Sequence, residues 1–165
     1  INTVSLYRQA LDAINVAYDR TLLASAKSIG ELLDVEGYDE AARLRVTVPY
    51  AALEAFEADN QSRMFYRVST LGGEMVSGFA ELPVWRGTLP ERNAYAALVD
   101  FYDDRFRNEP VRVAVLLQPV TWAGGQGMAT IQVAETLQSR QAAGVGSHCN
   151  RNIVIGRRSL DMQRR

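Results

Sequence analysis

EPVRVAVLLQPVTWAGGQGMATIQVAETL, residues 109–137, carries the strongest conformational signal in the chain. Val111, Val113 and Val115 alternate with Arg112, Ala114 and Leu116, a period of two that sends successive side chains to opposite faces of a strand. After the glycine-rich connection TWAGGQG, the run MATIQVAETL repeats that habit. Two strands joined by so short a link pair antiparallel.

Upstream, the pattern changes twice. RMFYRVST, LGG and EMVSGFAEL make a hairpin signal around Gly72-Gly73. LPVWRGTLPERN is a loop rich in Pro and Gly, in which Trp85 reads as a loop anchor or a lid, as does Trp122 in its own glycine-containing stretch; anchoring is the preferred reading. YAALVDFYDDRF fits helix or strand, with strand favoured near its end. Further back, PYAALEAFEAD reads as a short helix with Pro49 just before its first turn. LRVTVP is a short strand stopped by Pro49, and DVEGYDE is an acidic turn. Leu11, Ile14, Tyr18, Leu22, Ser25, Ile29 and Leu32 step by three or four, the stripe of an amphipathic helix from about Asn2 or Thr3 to Leu33. Thirty residues would span about 45 Å, more than one compact sheet covers, so part of this helix should project or pack against a second copy as a homodimer.

Helix, strand, helix and then four or five strands able to meander predict an α+β domain: a long N-terminal helix packed on a roughly five-stranded antiparallel sheet, the layout of PAS-like sensor domains. The 165-residue length suits one domain. Formal net charge is −1, against the clustered basic field a general nucleic-acid binder needs, so no nucleic-acid partner is expected. That average hides an asymmetry: residues 1–138 hold 12 basic and 18 acidic side chains, net −6, and residues 139–165 hold six arginines and one aspartate, net +5. Cys149 is the only cysteine and His148 the only histidine, which leaves no metal-ligand spacing and no expected metal or cofactor. No apolar run approaches the roughly 20 residues of a membrane span.

Four phrases in order, AYDRTLLASAKSI (17–29), VPYAALEAFEADNQSRMFYRV (48–68), FYDDRFRNEPVRVAVL (101–116) and TIQVAETLQSRQ (130–141), resemble the extracytoplasmic N-terminal sensor domain of bacterial two-component sensor histidine kinases of the tricarboxylate-transport-regulator kind. The resemblance implies a sensor domain over residues 1–141, in a periplasmic position between two membrane helices of a membrane-anchored inner-membrane kinase. It also implies a small organic anion as ligand. On this reading the chain is an excised piece of something longer, binding and transmitting rather than catalysing. Residues 142–165, GVGSHCNRNIVIGRRSLDMQRR included, are a basic tail of unclear origin where a second membrane helix would be expected.

The arginines then acquire a purpose. Arg105, Arg107 and Arg112 fall within eight residues, and Arg67 shares a strand face with Phe65. A guanidinium fork matches a carboxylate bidentately, so a pocket for a di- or tricarboxylate is expected from some of Arg67, Arg105, Arg107 and Arg112, with Tyr66 and Tyr102 supplying hydroxyls. Against this stands a plainer reading in which Asp103, Asp104 and Glu109 pair with Arg105 and Arg107 at the surface. Two other classes stay open: a stand-alone α+β enzyme acting on a small carboxylate, and a ligand-free protein-interaction module. Adjacent Asp103 and Asp104 diverge on a strand and make a poor acid/base pair, and GGQG lacks the Gly-Lys-Ser/Thr ending of a phosphate loop.

Overall fold

The computed structural model describes residues 3–37, 42–49, 63–88 and 98–138. The short helix expected from Tyr50 onward, and the tail with His148 and Cys149, lie outside them.

Helix α1 (Thr3–Gly30) follows the apolar stripe, with Leu22, Ala26 and Ile29 buried. It stops at Gly30, short of the expected Leu33. The Gly30 carbonyl accepts a hydrogen bond from Gln118 Nε2 at 3.2 Å, satisfying one of the acceptors a helix end leaves open. A Cβ at Gly30 would meet the end of the Gln118 side chain, which would have to give up its present position against the helix end. The chain turns at once into β1 (Leu33–Glu36), which pairs antiparallel with β2 (Arg43–Val46). DVEGYDE is thus not simply a turn. Its first half is a strand whose Leu33 and Val35 are half-buried while Asp34 and Glu36 alternate with them.

The main sheet is antiparallel throughout, in the order β4-β3-β7-β6-β5. Its members are β3 (Met64–Thr70), β4 (Met75–Gly78), β5 (Leu98–Phe106), β6 (Glu109–Trp122) and β7 (Gly125–Thr136). This is the expected α+β architecture, one N-terminal helix on a five-stranded antiparallel sheet. YAALVDFYDDRF resolves to strand over its described part. TWAGGQG, expected as a connection, is mostly strand: β6 runs through Trp122, β7 starts at Gly125, and only Ala123 and Gly124 turn, with Gly124 at φ 94°. A side chain at Gly125 would collide with the Trp122 indole and one at Gly127 would crowd it, so the glycines clear room for that ring.

Both faces of the sheet are covered. On one, Leu22, Ala26 and Ile29 of α1 pack on Val68, Ala114, Leu116, Ile131 and Val133. On the other, Phe65, Phe106 and the valines at 111, 113 and 115 form a second core with Leu82, which belongs to the irregular segment 79–88. This covering segment leaves β4 at Gly78, whose φ of 97° and closeness to the Tyr66 carbonyl exclude a side chain. The N-terminal half of α1 projects: Val4, Leu6 and Val16 are each more than half exposed.

Replacing Leu22 by Ala should cost about 2–5 kcal/mol through the cavity left beneath the helix. Replacing Val4 by Ala on the projecting turns should stay within about 0.5 kcal/mol. Urea denaturation of both variants checks this, and equal effects would contradict the packing described.

Candidate functional site

The register decides which arginines can meet. Arg67 lies opposite Gln132 across β3 and β7, and Arg112 lies opposite Glu135 across β6 and β7. Positions 132 and 135 of one strand point to opposite faces, so Arg67 and Arg112 do too. The six expected site residues therefore do not converge on one pocket. Tyr66, Arg105 and Arg112 belong to the helix-covered face. Arg67 and Tyr102 belong to the other, and Arg107 reaches that second face from the β5–β6 turn.

On the helix side, Arg112 acts as a clamp. Its Nε and one terminal nitrogen donate to the two carboxylate oxygens of Asp19 at 3.2 and 2.9 Å, and its other nitrogen donates to Asp103 at 3.0 Å. Both members of the Arg112–Asp19 pair are half-buried, and the bond to Asp19 is the main influence raising the Arg112 pKa. The contact fastens the middle of α1 to the sheet. Tyr66 sits beside the same core with its hydroxyl 3.4 Å from Ser77 Oγ. Arg105 is exposed and donates to the Asn108 carbonyl at 3.3 Å.

On the opposite side, the polar side chains of the sheet hold the covering segment. Arg67 is only 7% exposed. One of its terminal nitrogens donates to the carbonyls of Ala80 and Leu82 at 2.6 and 2.9 Å, the other to that of Gly73 at 3.4 Å. Its Nε has no partner, nor has the Oγ of Ser69, two residues along the same face. Among the described residues no carboxylate pairs with this guanidinium. Gln132, fully buried, accepts the backbone N–H of Trp85 at 3.3 Å and donates to the Pro83 carbonyl at 2.8 Å and to the Tyr102 hydroxyl at 3.0 Å. Arg107 donates twice to Glu81, at 3.1 and 3.0 Å, while its guanidinium lies 5.1–5.7 Å from the ring centres of Phe65, Phe79 and Phe106. The Trp85 indole donates to Asp100 at 3.0 Å, as befits a loop anchor.

Beside this seam lies a hollow of about 440 Å³, within the usual size of small-molecule sites. Residues 83–87 form one wall, and Asp100, Tyr102 and Asp104 of β5 the other. Burial pushes the Tyr102 phenol above its ordinary value of 10.0; the Gln132 donor pulls it back, and Asp104 and Asp100 push it further up. Of the six expected residues, Tyr102 alone lines this hollow. Ser69 and Gln132 were missed in the sequence, although a glutamine and a serine at inward positions of otherwise apolar strands are visible signals. Among the described residues, no group of three His, Cys, Asp or Glu side chains is placed to hold a metal ion, and no helix is long and apolar enough to cross a membrane.

A helix on one face of an antiparallel sheet, with a polar seam and a hollow on the other, defines the class, an α+β domain. Residues 1–144 match the family model of the two-component sensor kinase N-terminal domain, and the chain belongs to that family. No curated protein and no solved structure matches it.

Arg67→Ala would strand the Ala80 and Leu82 carbonyls beneath the covering segment and should destabilise the domain by about 2–4 kcal/mol in chemical denaturation. The raised Tyr102 pKa carries a definite sign. Its contribution is intact below pH 10, the unfolded value, and is lost as pH climbs through the higher folded value. Tyr102→Phe should remove that alkaline loss, seen as a smaller drop in melting temperature above pH 10 than in the unsubstituted protein.

Proposed function

We propose that this domain is the ligand-sensing part of a membrane-bound two-component histidine kinase, exposed on the periplasmic side, with a PAS-like fold. It recognises a small carboxylate-bearing molecule on the sheet face opposite α1. The observation that carries this reading is Arg67, a nine-tenths buried guanidinium with no carboxylate against it among the described residues and an unpartnered Nε beside the unpartnered Ser69 hydroxyl. Such a charge is costly to keep from water unless an anion completes it. The Ala80 and Leu82 carbonyls that hold its terminal nitrogens are the groups a ligand carboxylate would replace. Tyr102 supplies a hydroxyl at the edge of the same seam. Arg107 holds Glu81 of the covering segment, while Arg105 and Arg112, on or beyond the helix face, serve the structure rather than the ligand. The strand order β4-β3-β7-β6-β5 supports the PAS-like reading, since the five strands numbered by themselves run 2-1-5-4-3.

Transmission follows from what β7 touches. Gln132 on this strand grips Pro83 and Trp85, β7 leads to the C-terminal segment, and its other face packs on α1. A ligand that prefers one position of the covering segment would bias β7 and, through the Arg112–Asp19 clamp, the helix. The projecting turns of α1 are the proposed homodimer contact, because Val4, Tyr7, Leu11 and Ile14 repeat at three and four residues beyond the region the sheet covers.

Di- and tricarboxylates titrated against the purified domain should raise the melting temperature saturably, by a few degrees at about 100 times Kd. Arg67→Lys, which keeps the charge and loses the fork, should weaken binding about tenfold or more. Failure of every carboxylate to stabilise the folded domain rejects this reading. Sedimentation should show a dimer that Val4→Glu dissociates without lowering the melting temperature of the monomer.

A further inference from the structure

A second hollow of about 440 Å³ lies between β1 and the outer end of β6. Residues 33–35 and Gly37 form one wall, and residues 118–123 form the other. It belongs to the α1 side of the sheet, since Leu33 packs on the core beneath the helix and Gln118 bonds the helix end. Arg67 and the covering segment are across the sheet from it.

Trp122 gives this hollow its character. The register of β6 against β7 is unbroken, so Trp122 shares the helix-side face with Ala114, Leu116 and Gln118. A Cβ on Gly125 would come within 2.7 Å of the indole Nε1, and one on Gly127 within 3.1 Å of the outer edge of the benzo ring, so the ring lies along these two glycines of β7. Its position is set before any ligand arrives, which lowers the ordering cost of binding. Hydrogen-bonding atoms with spare capacity stand around it. Among the described residues the indole N–H has no acceptor. Gln118 uses Nε2 on the Gly30 carbonyl at 3.2 Å and keeps Oε1 to accept with, and Asp34 takes the Val35 N–H on Oδ1 at 2.8 Å and keeps Oδ2. No lysine, arginine or histidine lines the hollow.

That set selects against ions. A carboxylate would meet Asp34 and no cation, and an ammonium group would find a single exposed carboxylate, a contact that water and salt screen. We propose that the hollow binds a neutral, hydroxyl-rich ring of the sugar class, stacked on Trp122, with its hydroxyls shared among the indole N–H, Gln118 Oε1 and Asp34. A pyranose presents weakly positive C–H groups on one face, which the negative face of an indole attracts, and a rim of hydroxyls that both donate and accept. The volume lies within the range of about 300–1,000 Å³ usual for small-molecule sites. This site is independent of the carboxylate reading, being built on the other face from other residues.

The two tryptophans supply the test, because each gives one indole N–H signal in a nitrogen-15 correlation spectrum of the protein. Trp122 reports on this hollow, and Trp85, on the other face, is the internal control. Glucose, galactose and N-acetylglucosamine are titrated at fixed ionic strength beside acetate and butylamine. At least one sugar should move the Trp122 signal saturably and leave that of Trp85 in place. Asp34→Ala, at an exposed position, should weaken this binding about threefold or more with little change in melting temperature. Trp122→Ala should abolish it, read from the Gln118 and Gly127 amides, and Arg67→Lys should leave it untouched. The proposal is overturned by a Trp122 signal that no sugar moves, by a sugar that moves Trp85 instead, by undiminished binding in Asp34→Ala, or by acetate or butylamine acting more strongly than every sugar. None of these outcomes bears on carboxylate binding at Arg67, and failure of that binding leaves this site standing.

Discussion

A guanidinium withdrawn from water must have its donors met, or the fold bears a cost of several kcal/mol. Arg67 imposes that condition on the centre of the domain, and the irregular course of residues 79–88 is its local solution. The segment has no ladder of its own, so its backbone groups need partners from elsewhere. Sheet side chains supply several of them: Arg67 takes the carbonyls of Ala80 and Leu82, Gln132 takes the carbonyl of Pro83 and the N–H of Trp85. Burying Leu82 on the valines of β6 adds the apolar half of the attachment. The result is a cover fixed by side-chain hydrogen bonds and one buried leucine.

The two faces of the sheet handle charge differently. Toward α1, Arg112 is neutralised twice over, by Asp19 and Asp103, and the pairing joins helix to sheet. Away from α1, Arg67 is met only by dipoles, and Asp100 and Asp104 only by N–H groups, among the described residues. Both faces carry a packed core, and the face away from α1 also holds a neutralised pair, Arg107 with Glu81.

The strands with strict alternation were legible because their two faces carry different chemistry: Val111, Val113 and Val115 on one side and Ala114 and Leu116 on the other are what a sheet with two cores requires. The apolar stripe likewise marked α1 but not its end, because Gly30 terminates the helix through a tertiary contact with Gln118, 88 residues away. Strand β1 was hidden by Asp34 and Glu36, which lend it the composition of a turn. Alternation also placed Arg67 with Phe65, and Arg112 with Ala114. That the two arginines stand on opposite sides of the sheet depends on the registers of β3 and β6 against β7, long-range pairings that no local pattern encodes. The plainer reading gave Arg105 and Arg107 nearby acids as partners; Arg107 pairs instead with Glu81 of a distant segment, and Arg105 donates to the Asn108 carbonyl.

The two-residue link between β5 and β6 sets local preference against global need. Arg107 and Asn108 both adopt left-handed backbone angles, φ 49° and 65°, a conformation that asparagine tolerates and arginine ordinarily avoids, at a cost of roughly 1 kcal/mol. Glycine would relax the bend. It would also leave three phenyl rings uncapped and Glu81 without its bidentate donor, so a corner of the cover would come loose. This sharp corner is therefore a small stored tension that the domain keeps so that the covering segment stays fastened at Glu81.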